Sequence, residues 1–497
     1  MPLRFSQFAT TTLLACLAFA LGACRKSNRE TPNQTGRSGK DEAISVVIAP
    51  ELMSNQIGSL PGVVYQSQAN SPIRWQPWIK ETLERAKAAN RLVMAVVAMP
   101  QYHGLEPVIS QLIKDPVTIE AIHQKYVPVL IDGEAARELG LLAVDLYSET
   151  KNPIRFPLFM WMTADACPVA WTAITDTPSS DAVELFRQSD STISKMWQDD
   201  RNYVISNSIK DNDNRYERLA LRKNTEVMSQ KPGQEALASL RQLASFYDPI
   251  SRSFDESGGL FPSGALELMS TMAVHPGVSE EVRARCLQMT RELMKDLVYG
   301  PMFDPLDGGA FSLRFGKSWS FPVFNRDCNS QARIAIAMLN CYRATKDESA
   351  LDRAIGVISF AEKNFQTPDG LFAIGKASSQ EPEKWFWKIE DIQKALGPKD
   401  AAWWIKATNM SAAGNLPPET DPSREFRNFN SIGLTKSLSE IAASESQSLA
   451  EFTPRFEATR QKLFDMRNNR IQENARDTNA YANSSFLWFL PTPLHLM

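Results

Sequence analysis

Residues 96–108 read Val96-Val97-Ala98-Met99-Pro100-Gln101-Tyr102-His103-Gly104-Leu105-Glu106-Pro107-Val108. A continuous apolar segment that begins at Leu92 runs here into the start of a helix. In a redox protein of α/β type a pair of cysteines sits at such a strand-to-helix junction, and this stretch has none. Without a thiolate there is no nucleophile for disulfide exchange.

On both sides of the junction the pattern alternates between helix and buried strand. Residues 78–89 have the spacing of an amphipathic helix, 92–98 form a continuous apolar strand, and 115–125 form a helix opened by Asp-Pro. Apolar strands follow at 127–131, 158–162 and 169–172. Buried strands joined by helices predict an α/β layer structure. This first regime covers residues 60–197. A polar stretch at 198–233 reads as a linker, and from 234 to 497 the pattern is helical, with apolar residues every three or four positions at 234–247, 279–299, 328–345 and 351–365. Gly- and aromatic-rich loops follow the long helices, among them Phe303-Asp304-Pro305-Leu306-Asp307-Gly308-Gly309-Ala310-Phe311. That recurrence predicts stacked helical hairpins with a ligand-binding loop face.

At 497 residues the chain exceeds one compact core. Lys and Arg number 54 against 57 Asp and Glu, a net charge of -3 without a basic run, so no nucleic-acid partner is expected. The N-terminus has the layout of a signal peptide over 1–24: one charge at Arg4, then an apolar run shorter than the roughly 20 residues of a membrane-spanning helix. Leu21-Gly22-Ala23-Cys24 resembles a bacterial lipobox, which makes Cys24 a lipidation site. Residues 25–59 read as a flexible tether. The expectation is a lipid-anchored, exported protein on the periplasmic face of the bacterial cell envelope. Arg25, where an inner-membrane retention signal would have Asp, favours the outer membrane. The other cysteines, Cys16 in the signal and Cys167, Cys286, Cys328 and Cys341 in the body, form no C-x-x-C pair, so neither a redox pair nor a zinc site is indicated. No cofactor or metal is expected.

Several stretches carry a resemblance. Ser71-Pro72-Ile73-Arg74-Trp75-Gln76-Pro77-Trp78, Asp115-Pro116-Val117, Tyr126-Val127-Pro128-Val129-Leu130-Ile131-Asp132 and Phe156-Pro157-Leu158-Phe159 follow one another as they do in the spermatogenesis-associated protein 20-like family of thioredoxin-domain proteins. Further on, Phe303-Asp304, Gly308-Gly309, Trp319, Pro322 and Trp385-Phe386-Trp387 match in pieces. The resemblance implies a thioredoxin-like domain followed by an (α/α)6 toroid of the six-hairpin glycosidase class, here partial, and a cis peptide before Pro157 facing the active-site helix.

The departures from the family bear on function. Its Cys-His-x-Cys falls on Tyr102-His103-Gly104-Leu105, so both thiols are replaced and only His103 remains, a residue that reads first as structural. Its toroid histidine, glutamate and aspartate fall on Val323, Asn325 and Ser330, although glycoside chemistry generally needs two carboxylates flanking the bond. Phe315-Gly316-Lys317-Ser318 resembles the end of a Walker A loop, but Phe311 stands where its first glycine should be. Asp304, Trp319, Trp385 and Trp387 are the candidate ligand residues, with core packing the preferred account of Trp385 and Trp387.

The expected function is that of a membrane-tethered, non-catalytic thioredoxin-like scaffold or binding protein whose partner is a protein or a carbohydrate. The alternative is a carbohydrate-processing enzyme, hydrolase or isomerase, of the six-hairpin class. A thiol-disulfide oxidoreductase is what the family name suggests, and the 96–108 stretch argues against it.

Overall fold

A computed structural model describes residues 48–100, 104–148, 155–174, 181–223, 232–254, 259–324, 326–375, 382–470 and positions 480, 485, 487 and 488. The chain divides into two compact units, Met1–Val227 and Met228–Met497.

The first unit is built around β1 (Leu92–Ala98), all seven of whose residues are buried. Successive side chains of a strand point to opposite faces. Met94, Val96 and Ala98 accordingly enter one apolar cluster, and Val93, Ala95 and Val97 enter another on the far face. A short helix α1 (Val63–Ser67) and α2 (Lys80–Ala88) precede β1; α3 (Leu105–Lys114), α4 (Pro116–Lys125) and β2 (Tyr126–Asp132) follow it. The Asp115 carboxylate accepts from the Thr118 backbone N–H at 3.1 Å and Pro116 opens α4, the pairing that satisfies a helix start without wasting a donor. Next come α5 (Arg137–Ser148), β3 (Leu158–Met162) and β4 (Pro168–Ala173). The sheet order is β2-β1-β3-β4, with β1 parallel to β2 and antiparallel to β3, and β3 antiparallel to β4. Pro128 is tolerated because β2 is the last strand of the sheet; along its outer side Gln76 donates its N–H to the Pro128 carbonyl at 2.9 Å.

Helices α6 (Ala182–Asp199) and α7 (Arg201–Lys223) complete this unit. A helix thus occupies most of the 198–233 stretch expected as a linker. It is polar nearly all round, and it is held by buried Val204 and Ser208 and by the buried Arg215 guanidinium, 5.7 Å from the centre of the Trp171 ring. The expected tether 25–59 also ends earlier than its polarity suggests: Leu52 and Ile57 are buried in the two clusters flanking the sheet.

The second unit is helical: α8 (Pro232–Ser245), α9 (Ser263–Val274), α10 (Glu280–Val298), α11 (Cys328–Thr345), α12 (Glu348–Phe365), α13 (Ile389–Ala407), α14 (Leu438–Ser444) and α15 (Leu449–Arg470). Helix α9 packs on α10 and α11, and α11 on α12. Lys346, in the left-handed region at φ 59°, ends α11, and the Asp347 carboxylate caps α12 by accepting from Ser349 N–H at 3.0 Å. Helix α13 is kinked at Gly397-Pro398. The loop before α11 turns at Gly308, φ 82°, where a Cβ would lie 2.8 Å from the Gly356 carbonyl oxygen on α12. Loop and helix therefore touch backbone to backbone.

Candidate functional site

Two places in the molecule bear on function. The first is the corner where β1 runs into α3. Gly104 begins the helix, and a Cβ there would stand 2.3 Å from the Phe156 carbonyl oxygen, so only glycine lets the helix start seat against this loop. The Phe156–Pro157 peptide in that loop is cis. Leu105, expected from the sequence at the position of the second family cysteine, is buried in the apolar cluster with Val108, Ile109 and Leu112. Tyr102 and His103 lie outside the described residues. Cys167, the cysteine of this unit among the described residues, sits in the turn between β3 and β4, buried and unpaired. Burial, then the neighbouring Asp165 carboxylate, pushes its thiol up, away from the thiolate that exchange requires. In the second unit burial pushes Cys328 and Cys341 up to about 12.

The second place is a groove of about 580 Å³ in the helical unit. Its walls come from the end of α10 (Asp296, Tyr299), the backbone of Gly300-Pro301, the segment Lys317–Ser320, the turn at Asp248–Ser251, the end of α13 (Thr408, Asn409) and the loop leading to α14 (Asn415, Glu419, Ser431, Gly433, Thr435). Side-chain amides fix that loop. Asn415 pairs with the Ser431 backbone, accepting from its N–H and donating to its carbonyl, both at 2.9 Å. Buried Asn430 ties Ser411 to Trp387 in the same manner. At Gly433 a Cβ would lie 2.2 Å from the Gly300 carbonyl carbon, so two backbones cross in contact in the groove wall.

The groove is chemically mixed. Among the described residues Lys317 and Glu419 form no ion pair, and the Ser318 hydroxyl oxygen is buried without a hydrogen-bond partner. Both carboxylates nearest the α10 side have other employment. Asp248 accepts from Ile250 N–H at 2.8 Å and Ser251 Oγ at 2.7 Å, and the Ser251 hydroxyl above all holds its carboxyl below the usual range. Asp296 pairs with Arg252 at 3.1 Å, while burial pushes it up.

Of the four ligand residues expected from sequence, Trp319 alone lines this groove, buried and covered by the Arg314 guanidinium at 4.5 Å from its ring centre. The other three lie inside the unit. Asp304 and Asp307 are clamped by Arg326 and Arg467: Arg326 Nη1 reaches Asp307 at 2.7 Å and Asp304 at 3.6 Å, and Arg467 pairs with both. Trp385 stacks on Phe324 at 5.0 Å and lies beneath both guanidiniums; Trp387 is fully buried beneath Arg470. Burial pushes Asp304 up. At Asp307 the two arginines outweigh burial and hold the pKa at about 2. Among the described residues no group of three or more His, Cys, Asp or Glu could hold a metal. The groove was not legible in the sequence, since its lining comes from six separated segments with no shared motif.

A parallel β1–β2 pair, an antiparallel β3–β4 hairpin and a helix start wedged against a cis-proline loop define a thioredoxin-like domain. Residues 55–214 match the DsbH-type thioredoxin family model, described as a protein of unknown function, DUF255. Over 450 residues the chain is 21% identical to rat spermatogenesis-associated protein 20, covering 85% of this chain and 56% of that one. The human protein of the same name is 21% identical over 449 residues, again 85% and 56%. An uncharacterized protein of Caenorhabditis elegans is 21% identical over 453 residues, 86% and 60%. The chain thus spans little more than half the length of these relatives.

These relatives are eukaryotic, which overturns the expectation of a lipid-anchored protein of the bacterial cell envelope. Cys24 and the segment 1–24 lie outside the described residues, and no described helix is long and apolar enough to cross a membrane.

Proposed function

We propose that this protein is a non-catalytic thioredoxin-like binding or scaffold protein whose helical unit, a partial (α/α)6 toroid, holds a polar ligand or a partner's polar segment in the groove between Lys317 and Thr435. The observation that carries this reading is Leu105, an apolar side chain packed into the core at the position of a family thiol. The raised thiol of Cys167 supports it, because a buried protonated cysteine neither attacks a disulfide nor leaves from one. In the groove, hydroxyls, amides and charges of both signs suit a carbohydrate or a polar peptide. The engagement of Asp248 by its own turn and of Asp296 by Arg252 favours binding over acid–base chemistry there.

The test is twofold. The purified chain is assayed for thiol-disulfide turnover on a reduced or oxidised model substrate, with none expected; turnover abolished by Cys167→Ala would sink the reading. It is then screened against oligosaccharides and against immobilised tissue extract. Ligand binding to the native state raises the melting temperature by mass action. A stabilising sugar whose effect disappears in Lys317→Ala and Glu419→Gln assigns the groove to carbohydrate, and a captured protein lost in the same variants assigns it to a protein partner.

A further inference from the structure

The thioredoxin-like unit has an opening at the end of β1 away from α3. The strand runs from Leu92 to Ala98, and at about 3.3 Å per residue its two ends are some 20 Å apart. At the Leu92 end the α2–β1 turn, the α4–β2 junction and the α6–α7 junction leave a recess of about 700 Å³.

Arg91 and Arg201 are both among its lining residues. Arg91 donates from Nη1 to the His123 carbonyl at 2.7 Å, and Arg201 donates to the Asn90 side-chain oxygen while lying 5.9 Å from the centre of the Trp197 ring. Among the described residues neither forms an ion pair. Lys125 in the same wall differs: its ammonium is 2.6 Å from Asp190, which also accepts from the Tyr126 hydroxyl at 2.8 Å. Of the two carboxylates in the lining, Asp200 accepts from Tyr203 N–H at 3.0 Å and so caps α7, and Asp199 is exposed on the rim. The 23-residue helix α7 starts at Arg201, so its positive end opens here as well. Burial, and then Arg74, push the Arg91 guanidinium below its usual range, as expected for a cation that lacks a counter-charge.

A half-buried guanidinium with most of its five donors unused is matched by the planar, bidentate geometry of a phosphate or carboxylate. We propose that this recess binds the phosphate or carboxylate group of a small molecule between Arg91 and Arg201. Asp199 at the rim repels an extended polyanion, which separates this site from a nucleic-acid surface.

The experiment is calorimetric titration of the full chain, near neutral pH and at low ionic strength, with inorganic phosphate and, separately, with succinate. Saturable binding of at least one probe is expected, weakened about tenfold or more by Arg201→Gln and tightened by Asp199→Asn, which removes a charge of the ligand's own sign. A purely structural role for these residues would not produce that opposite pair of effects. Arg91→Gln should weaken binding likewise; because Arg91 also holds the His123 carbonyl, Arg201→Gln and Asp199→Asn carry the test if that protein fails to fold. Binding of phosphate alone assigns a phosphorylated ligand, and binding of succinate alone a carboxylate. Absence of saturable heat with both probes, or wild-type affinity in both Arg201→Gln and Asp199→Asn, overturns the proposal.

Discussion

Arg467 Nη2 lies 3.0 Å from Asp307 Oδ2 across 160 residues of sequence. Its other terminal nitrogen pairs with Asp304, and Arg326 closes the set from the other side. One guanidinium at the end of α15 therefore holds the aspartates of a loop that follows α10. Removing one partner of a buried ion pair leaves an uncompensated charge and costs about 3–5 kcal/mol. Arg467→Met is expected to destabilise the helical unit by that amount, read from denaturant unfolding followed by tryptophan fluorescence. A loss below about 0.5 kcal/mol, the level of ordinary surface substitutions, would show that the cluster is not a clamp.

The same cluster gives an acid limb. Asp307 is held at about 2, below an unfolded value near 3.9, so its contribution to stability is complete above about pH 4 and fades as the pH falls toward 2. Asp304, pushed up by burial, has the opposite sign: its protonated form is favoured in the folded state, and that contribution fades as pH rises through its folded pKa. Asp307→Asn should flatten the fall in stability below pH 4, measured as melting temperature against pH. An unchanged acid limb would remove Asp307 from the account.

At the thioredoxin-like corner, Gly104→Ala would set a methyl group 2.3 Å from the Phe156 carbonyl oxygen, against backbone that cannot swing aside. Overpacking of this kind costs about 1–3 kcal/mol. The expected result is a lower unfolding midpoint for the first unit. Wild-type stability would mean that helix α3 starts further from the proline loop than the structure places it.

The sequence disclosed this corner well because β1 and β3 are continuous apolar runs buried on both faces, and their expected bounds, 92–98 and 158–162, coincide with the observed ones. Helix α7 escaped because its anchoring relies on Ser208 and Arg215 as much as on Val204, and burial of a serine or an arginine leaves no apolar periodicity. Asp304 reads in the sequence as a candidate ligand, and its partner Arg467 is 163 positions away, beyond any local pattern. Trp385 reads as core or as a sugar platform, with core preferred, and its burial and its stack on Phe324 place it inside. The groove depends on a crossing of Gly300 and Gly433 that neither residue announces.

That crossing can be tested directly. Gly433 has no left-handed backbone angle to require glycine, so the constraint is one of space alone. A Cβ at 2.2 Å from Gly300 must push the 430–435 segment off α10, and this segment supplies Ser431 and Thr435 to the groove. Gly433→Ala is expected to lower stability by about 1–3 kcal/mol and to weaken whatever ligand the groove accepts, whereas Gly264→Ala, with open space around its Cβ, serves as a neutral control. Equal stability of the two variants would refute the close crossing.

The last expectation concerns pH near neutrality. His123 Nε2 accepts from the Arg74 backbone N–H at 3.2 Å, so the proton of its neutral ring is on Nδ1. Burial holds its pKa below the usual 6.5; Arg74 and Arg91 push in the same direction, and Glu120 opposes them. A histidine with a depressed folded pKa is protonated more readily when unfolded, so its contribution to stability is complete above about pH 6.5 and is lost as pH falls through the folded value. Protonation would remove the acceptor for Arg74 N–H and bring a third cation beside Arg74 and Arg91. The wild-type protein should therefore lose stability on moving from about pH 7 to pH 5, read as a falling melting temperature. His123→Gln, whose amide oxygen can still accept that bond but does not titrate, should lose less over the same interval. A slope identical in the two proteins would mean that His123 does not set it.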